Sequence, residues 1–395
     1  MEKPEPRFAS RTDWNLEPNR LALLQASRRQ AGLATLDLTE SNPTRCGFEY
    51  DAGEILSALA DEHGLSYDPQ PRGLLAAREA VARYYADRGA AVSAEQVLLT
   101  SGSSEAYAFL FRLLGDPGDN VLVPHPGYPL FEFLSRLNDI ELAGYILDYH
   151  QGWEIDWDYL ETAVTPRTRA VVVVNPNNPT GSLLRPHERE RVVELCRRRG
   201  LALIADEVFL DYGLGTVEPR SLAATAECLT FTLNGLSKTA ALPQMKLGWI
   251  VSSGPADLVE AALQRLEVIA DTYLSVGTVV QWALLELLER RHGIQRQILA
   301  RVAENLEGLD ARLAKQSLCS RLEVEAGWSV IVRVPNVRTD EEWAVELLEK
   351  DGVLVHPGHF FNFATEGYLV ASLLLPPEVF EEGMARLLGR VAEVV

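Results

Sequence analysis

The chain has 395 residues, 47% of them hydrophobic and 24% charged, enough to bury a large core over about two or three domains. Its 37 Lys and Arg against 56 Asp and Glu give a formal net charge of −19, which argues against a nucleic-acid polyanion or an anionic membrane surface as main partner. Its four cysteines (Cys46, Cys196, Cys228, Cys319) are far apart with no CxxC, so metal and redox motifs are absent and free thiols of a reducing cytosol are expected.

Residues 1–50 read as an irregular arm with one helix, roughly Pro18 to Gln30, followed by Ser41-Asn42-Pro43-Thr44. The opening MEKPEPRFASRTDW lacks the apolar core of a signal peptide, and no apolar run approaches the roughly 20 residues that span a bilayer, so a soluble cytoplasmic protein is expected. From about residue 75, helix and strand alternate: a helix at Leu75–Arg88, a strand at Val97–Thr100, then a helix with Ala106, Phe109, Leu110, Leu113 and Leu114 on one face. Val121–Pro124 is the next strand. Ala170–Val174 and Leu201–Ala205 are wholly apolar, as strands buried on both faces are, and the helix between them starts at Pro186 and ends before Gly200. This alternation predicts a mostly parallel sheet covered on both sides. After about residue 255 the pattern turns helical (Ala256–Arg265, Val276–Arg291). It then becomes α+β, with strands at Trp328–Val334, Val353–His356 and Tyr368–Leu374 and helices at Asp340–Lys350 and Pro377–Val394.

The chemistry concentrates at the ends of these strands. Asp206 closes a buried strand, where a carboxylate is costly unless paired. Asn178 stands in Asn-Pro-Thr-Gly after another such strand, and ligands of open α/β sheets bind at those ends. Gly102, Ser103 and Ser104 open a helix whose free N–H groups can hold an anion, or whose serine merely caps it. Lys238 follows the apolar run Leu229–Leu233 in Asn234-Gly235-Leu236-Ser237-Lys238; taken alone, it would be an ordinary solvated lysine.

Asn175–Gly181, Ala205–Phe209 and Leu233–Thr239, in that order, resemble the large domain of fold-type I pyridoxal-phosphate enzymes, the class I/II aminotransferases of the aspartate aminotransferase superfamily. The resemblance spans about residues 30–390. It implies an α/β fold, with a mostly parallel seven-stranded-type sheet in a large cofactor domain (51–290) with helices on both faces. A smaller α+β domain would come from both chain ends: an arm and part of the small domain in 1–50, and the rest in 291–395. It implies pyridoxal 5'-phosphate held by a Schiff base to Lys238, its ring nitrogen paired with Asp206, its phenolic oxygen contacted by Asn178 and its ring stacked on Tyr128. Its phosphate would meet Gly102, Ser103, Ser104, Ser237 and Lys246, and Tyr67 of a second subunit, hence a homodimer. No metal is implied.

Three positions depart from the family pattern. Phe209 stands where a tyrosine would bond the phenolic oxygen, with Tyr212 as a possible substitute. Lys246 replaces the phosphate-binding arginine, keeping the charge without the bidentate fork. Val370 stands where an arginine would clamp the substrate carboxylate. Arg45, beside Ser41 in a loop the family places over the substrate, is the first candidate replacement; Arg333 and His359 are weaker ones, and a plain surface arginine is the alternative for Arg45. The expected activity is transfer of an amino group from an amino donor to a 2-oxo acid. A lyase of the same fold (carbon–sulfur or ACC-synthase-like) is the alternative. A cofactor-binding regulator is disfavoured, because the chain is acidic and shows no basic DNA-binding head.

Overall fold

The computed structural model describes residues 8–215 and 219–395, so the first seven residues of the amino-terminal arm lie outside the described residues. A large sheet organises the chain. Its strands are β1 (Val97–Thr100), β2 (Asn120–His125), β3 (Glu141–Tyr149), β4 (Trp153–Ile155), β5 (Thr168–Val174), β6 (Ala202–Asp206), β7 (Thr230–Gly235) and β8 (Gly248–Ser253). They lie in the order β1-β8-β7-β6-β5-β2-β3-β4. The pairs β7·β6, β6·β5, β5·β2 and β2·β3 are parallel, whereas β8 runs antiparallel to both its neighbours. The expected mostly parallel sheet is thus present, with the short β4 added antiparallel at one edge.

The continuous apolar runs have a simple cause. Val172 and Val174 of β5 pack on one face with residues of the helices Ser103–Leu114 and Ala256–Asp271, while Val171 and Val173 pack on the other with the helix Pro186–Arg199. Both faces are covered, so no polar alternation survives, and each fully buried valine contributes about 1.5–3 kcal/mol before entropy is charged against it. Gly200, at φ 65°, ends the 186–199 helix in the left-handed conformation that glycine takes without strain.

A second, four-stranded antiparallel sheet holds β9 (Ser320–Arg321), β10 (Ser329–Arg333), β11 (His356–Pro357) and β12 (Tyr368–Ser372), in the order β9-β10-β12-β11. The strand expected at Val353–His356 divides. Val353–Leu354 pairs in parallel with Leu36–Asp37 from the amino-terminal region, and only His356–Pro357 joins the second sheet. The carboxy-terminal helix Pro377–Val394 covers this region through Phe380, Met384, Leu387 and Val391.

The helix expected at Val276–Arg291 instead runs from Thr278 to Leu313, 36 residues, passing through the 290/291 division without a break. Gly293, just past the expected end, costs a helix about 1 kcal/mol against alanine. The helix continues because Ile294, Ile298, Val302 and Leu309 bury themselves beyond it against the second sheet. Other segments escaped the apolar pattern for the opposite reason. β3 and the helix Trp157–Ala163 lie near the sheet edge, where partly exposed residues interrupt the hydrophobic run. Among the described residues no helix is long and apolar enough to cross a membrane.

Candidate functional site

Strand direction gathers the site. β1, β2, β5, β6 and β7 point the same way, so the segments that follow them meet at one sheet edge. These segments carry Gly102, Tyr128, Asn178 and Lys238, and Asp206 is the last residue of β6 at the same edge. The turn after β7 is tight. Gly235 takes an extended φ, and a Cβ there would lie 2.8 Å from Gly248 Cα, so only glycine lets β7 and β8 approach as the chain enters the short helix Leu236–Thr239 that presents Lys238.

Lys238 is partly buried and faces aromatic rings. Its Nζ lies 4.9 Å from the ring centroid of Trp328 and 5.7 Å from that of Phe209. Burial pulls its pKa down from 10.5 to about 8, and the charge of Asp206 opposes that pull. Asp206 is 6% exposed. Burial raises its pKa from 3.8 to about 6, against two hydrogen bonds and the charge of Lys238. Val208 N–H donates to Oδ1 (3.1 Å) and the Tyr107 hydroxyl donates to Oδ2 (2.9 Å). Tyr107 escaped sequence reading because it sits within the apolar stretch of the 103–114 helix, where any aromatic reads as core. Its partner lies 99 positions away.

The start of that helix forms a cradle. Gly102 is its N-cap at φ 150° with no side-chain cap, and a Cβ there would point at Lys246 Nζ, 3.9 Å away. Ser101 N–H is taken by Glu105 (2.7 Å), while the N–H groups of Ser103 and Ser104 receive no side-chain cap. Lys246, exposed and at φ 51°, makes no ion pair among the described residues. Free N–H groups beside an unpaired ammonium suit a phosphate.

Other predicted residues are distributed as follows. Tyr128 is partly buried, and burial together with Asp206 pushes its pKa up to about 12. Asn178 is partly exposed and makes no side-chain hydrogen bond among the described residues. Its neighbour Asn177 braces the turn by donating to Thr180 Oγ1 (2.9 Å) and Pro126 O (3.2 Å). Ser237 is partly exposed beside Lys238. Tyr67 is 79% exposed and lines a cavity with Pro69, Leu274 and Thr278, away from Lys238 of the same chain.

Phe209 does lie at the lysine, but Tyr212 does not replace the missing hydroxyl. Tyr212 is fully buried, and its hydroxyl donates to the Lys238 backbone carbonyl (2.6 Å). Val370 is 3% exposed in an apolar cluster with Ile331, Phe361 and Trp153. None of the proposed replacements is buried against the lysine. The Arg45 side chain is 73% exposed and faces Glu40 at 3.7 Å. Ser41, Arg333 and His359 are exposed. Trp328 is the residue that sequence reading missed altogether. Only its position at the start of an alternating strand was noted, which carries no hint of the lysine.

The comparisons agree with this geometry. The family model "Aminotransferase class I and II" matches residues 49–387. The chain is 28% identical over 356 residues to the glutamate-pyruvate aminotransferase AlaA of Escherichia coli K12, covering 86% of each. It is 27% identical over 349 residues to an Arabidopsis thaliana protein named S-alkyl-thiohydroximate lyase, covering 85% of this chain and 74% of that one. Among solved structures, the alanine aminotransferase from Pyrococcus furiosus superposes with a TM-score of 0.90 at 24% identity, covering 98% of this chain and all of the other. With a family match that takes in both sheets and every segment at the strand edge, the chain belongs to the class I and II aminotransferases.

Proposed function

We propose that this enzyme is a pyridoxal-phosphate-dependent aminotransferase that moves an amino group between an amino acid, or a related amine, and a 2-oxo acid. The observation that carries the reading is a lysine whose amine is drawn toward neutrality by burial, set beside a buried carboxylate at the edge where five strands end. The cofactor, when bound, supplies the electron sink.

The residues fit that group. Lys238 would be the point of covalent attachment, and its Nζ, freed when the substrate amine displaces it, would serve as the base for the proton at the substrate Cα. Asp206, oriented by Tyr107 and Val208, holds the proton on the ring nitrogen. Lys246, Ser237 and the N–H groups at Gly102–Ser104 hold the phosphate, Tyr128 offers a ring face, and Asn178 has a free amide for the phenolic oxygen. Phe209 offers none. In a homodimer, the exposed Tyr67 would reach the phosphate of a second copy. We assign 51–290 to the cofactor domain and the two chain ends to the smaller one. We also propose a cytoplasmic setting, in keeping with four unpaired cysteines.

The resemblance to a protein named as a lyase keeps elimination as the second reading. Addition of an amino donor to the loaded enzyme separates the two. A transaminase converts the cofactor to its amine form and releases the oxo acid, with loss of the absorbance of the lysine-bound cofactor. A lyase releases ammonia and leaves that absorbance intact. Lys238→Ala should abolish both the absorbance and turnover; normal turnover in this variant would end the proposal.

A further inference from the structure

The substrate carboxylate has no guanidinium to meet at the expected place. Val370 is sealed among Ile331, Phe361 and Trp153. Among the described residues no arginine pairs with Asp206, and Lys238 is the cation that lies over Trp328 and Phe209. Lys246 lies at the anion cradle.

Against Lys238 stands Trp328, 3% exposed. Two edge-on contacts fix its ring, Phe209 at 5.3 Å and Tyr212 at 4.9 Å. Tyr212 is in turn tied to the Lys238 carbonyl, and Trp328 O accepts from Leu373 N (2.7 Å), which anchors its backbone beside β12. The ring is therefore held to the lysine from two sides. Yet its indole Nε1 is buried with no hydrogen-bond partner. Leaving such a group unpaired is costly, and native proteins rarely do so without a water or ligand to receive it. Trp153 Nε1 is also unpartnered, but its ring packs on Tyr149 and Phe363 and not on the lysine.

We propose that the indole N–H of Trp328 donates to the substrate carboxylate where Val370 leaves no arginine to do so, which makes Trp328 a specificity-determining residue. This rests on the aminotransferase reading. A neutral donor holds an anion more weakly than a bidentate arginine does, so affinity for amino acids should be modest and should depend steeply on this one N–H.

The test is Trp328→Phe, which keeps an aromatic ring and removes the donor. Single-turnover half-reactions of the loaded enzyme would be followed with L-alanine, L-leucine and L-glutamate, and with ethylamine and isopentylamine, which lack the carboxylate. Binding of unreactive propionate would be measured by calorimetry. Loss of one hydrogen bond to a charged group predicts a rise of about tenfold or more in KM for the amino acids and in Kd for propionate. The two amines should be unaffected, and the absorbance of the lysine-bound cofactor should stay at its wild-type value. Propionate binding and amino-acid KM both within about twofold of wild type would overturn the proposal. So would equal losses for amines and amino acids, which would mark Trp328 as packing alone. If the wild-type enzyme shows neither lysine-bound cofactor nor any half-reaction, the aminotransferase reading fails first and takes this inference with it.

Discussion

Asp206→Asn should stabilise the cofactor-free protein and disable the loaded one. Burial lifts the Asp206 carboxyl from its ordinary 3.8 to about 6. In the unfolded chain it ionises near its ordinary value, so the folded state binds the proton more tightly. The sign follows from that difference. The raised folded pKa adds stability that is fully present below pH 3.8 and is lost as pH rises through about 6. At 1.36 kcal/mol per unit, the loss at neutral pH is about 3 kcal/mol, and because the side chain is nearly inaccessible no solvent discount applies. Asparagine is nearly isosteric and does not titrate. Urea unfolding of the cofactor-free proteins should therefore show the variant gaining on wild type by about 2 kcal/mol between pH 4.5 and 7.5. Turnover of the loaded variant should fall severely, because a neutral amide no longer holds the ring-nitrogen proton. A stability difference that stays flat across this pH range would refute the burial argument, and an unchanged kcat would reduce Asp206 to a turn cap.

The other expectations are narrower. The rate at which cofactor-free protein captures pyridoxal phosphate should rise with pH and level off above about 8, following the depressed Lys238 amine; a rate still climbing past pH 10 would mean an ordinary lysine. Lys246→Ala should weaken retention of pyridoxal phosphate by about 10- to 100-fold, the range for one charge-assisted contact, while Lys246→Arg retains it. Equal losses for pyridoxal, which has no phosphate, would put the phosphate partner elsewhere. Arg45→Ala should change amino-acid KM by less than about twofold, because an exposed arginine already facing Glu40 has little to lose; a tenfold rise would return the carboxylate to Arg45.

From the sequence alone came the reaction class and the frame that supports it. A buried parallel strand is a continuous apolar run, a helix end is a glycine, and a ligand-bearing turn is a short motif just past a strand. All three are local patterns, and together with the family resemblance they made Lys238, Asp206, Asn178 and the Gly102 segment candidates. The tertiary structure alone decided what surrounds the lysine. Tyr107 looked like one more apolar residue of its helix until folding set its hydroxyl on Asp206. Tyr212 looked like a spare hydroxyl until the lysine's own carbonyl claimed it. Trp328 immediately precedes β10, and no periodicity along that strand records that its ring will lie against a lysine in the short helix after β7. The same holds for the arginine expected at position 370. Its absence is visible in the sequence, but the apolar cluster sealing Val370 and the unpartnered indole at Lys238 exist only once the second sheet has packed against the large one. Contacts between distant segments form because burial brings them together, and burial is a property of the folded whole that spacing along the chain does not encode.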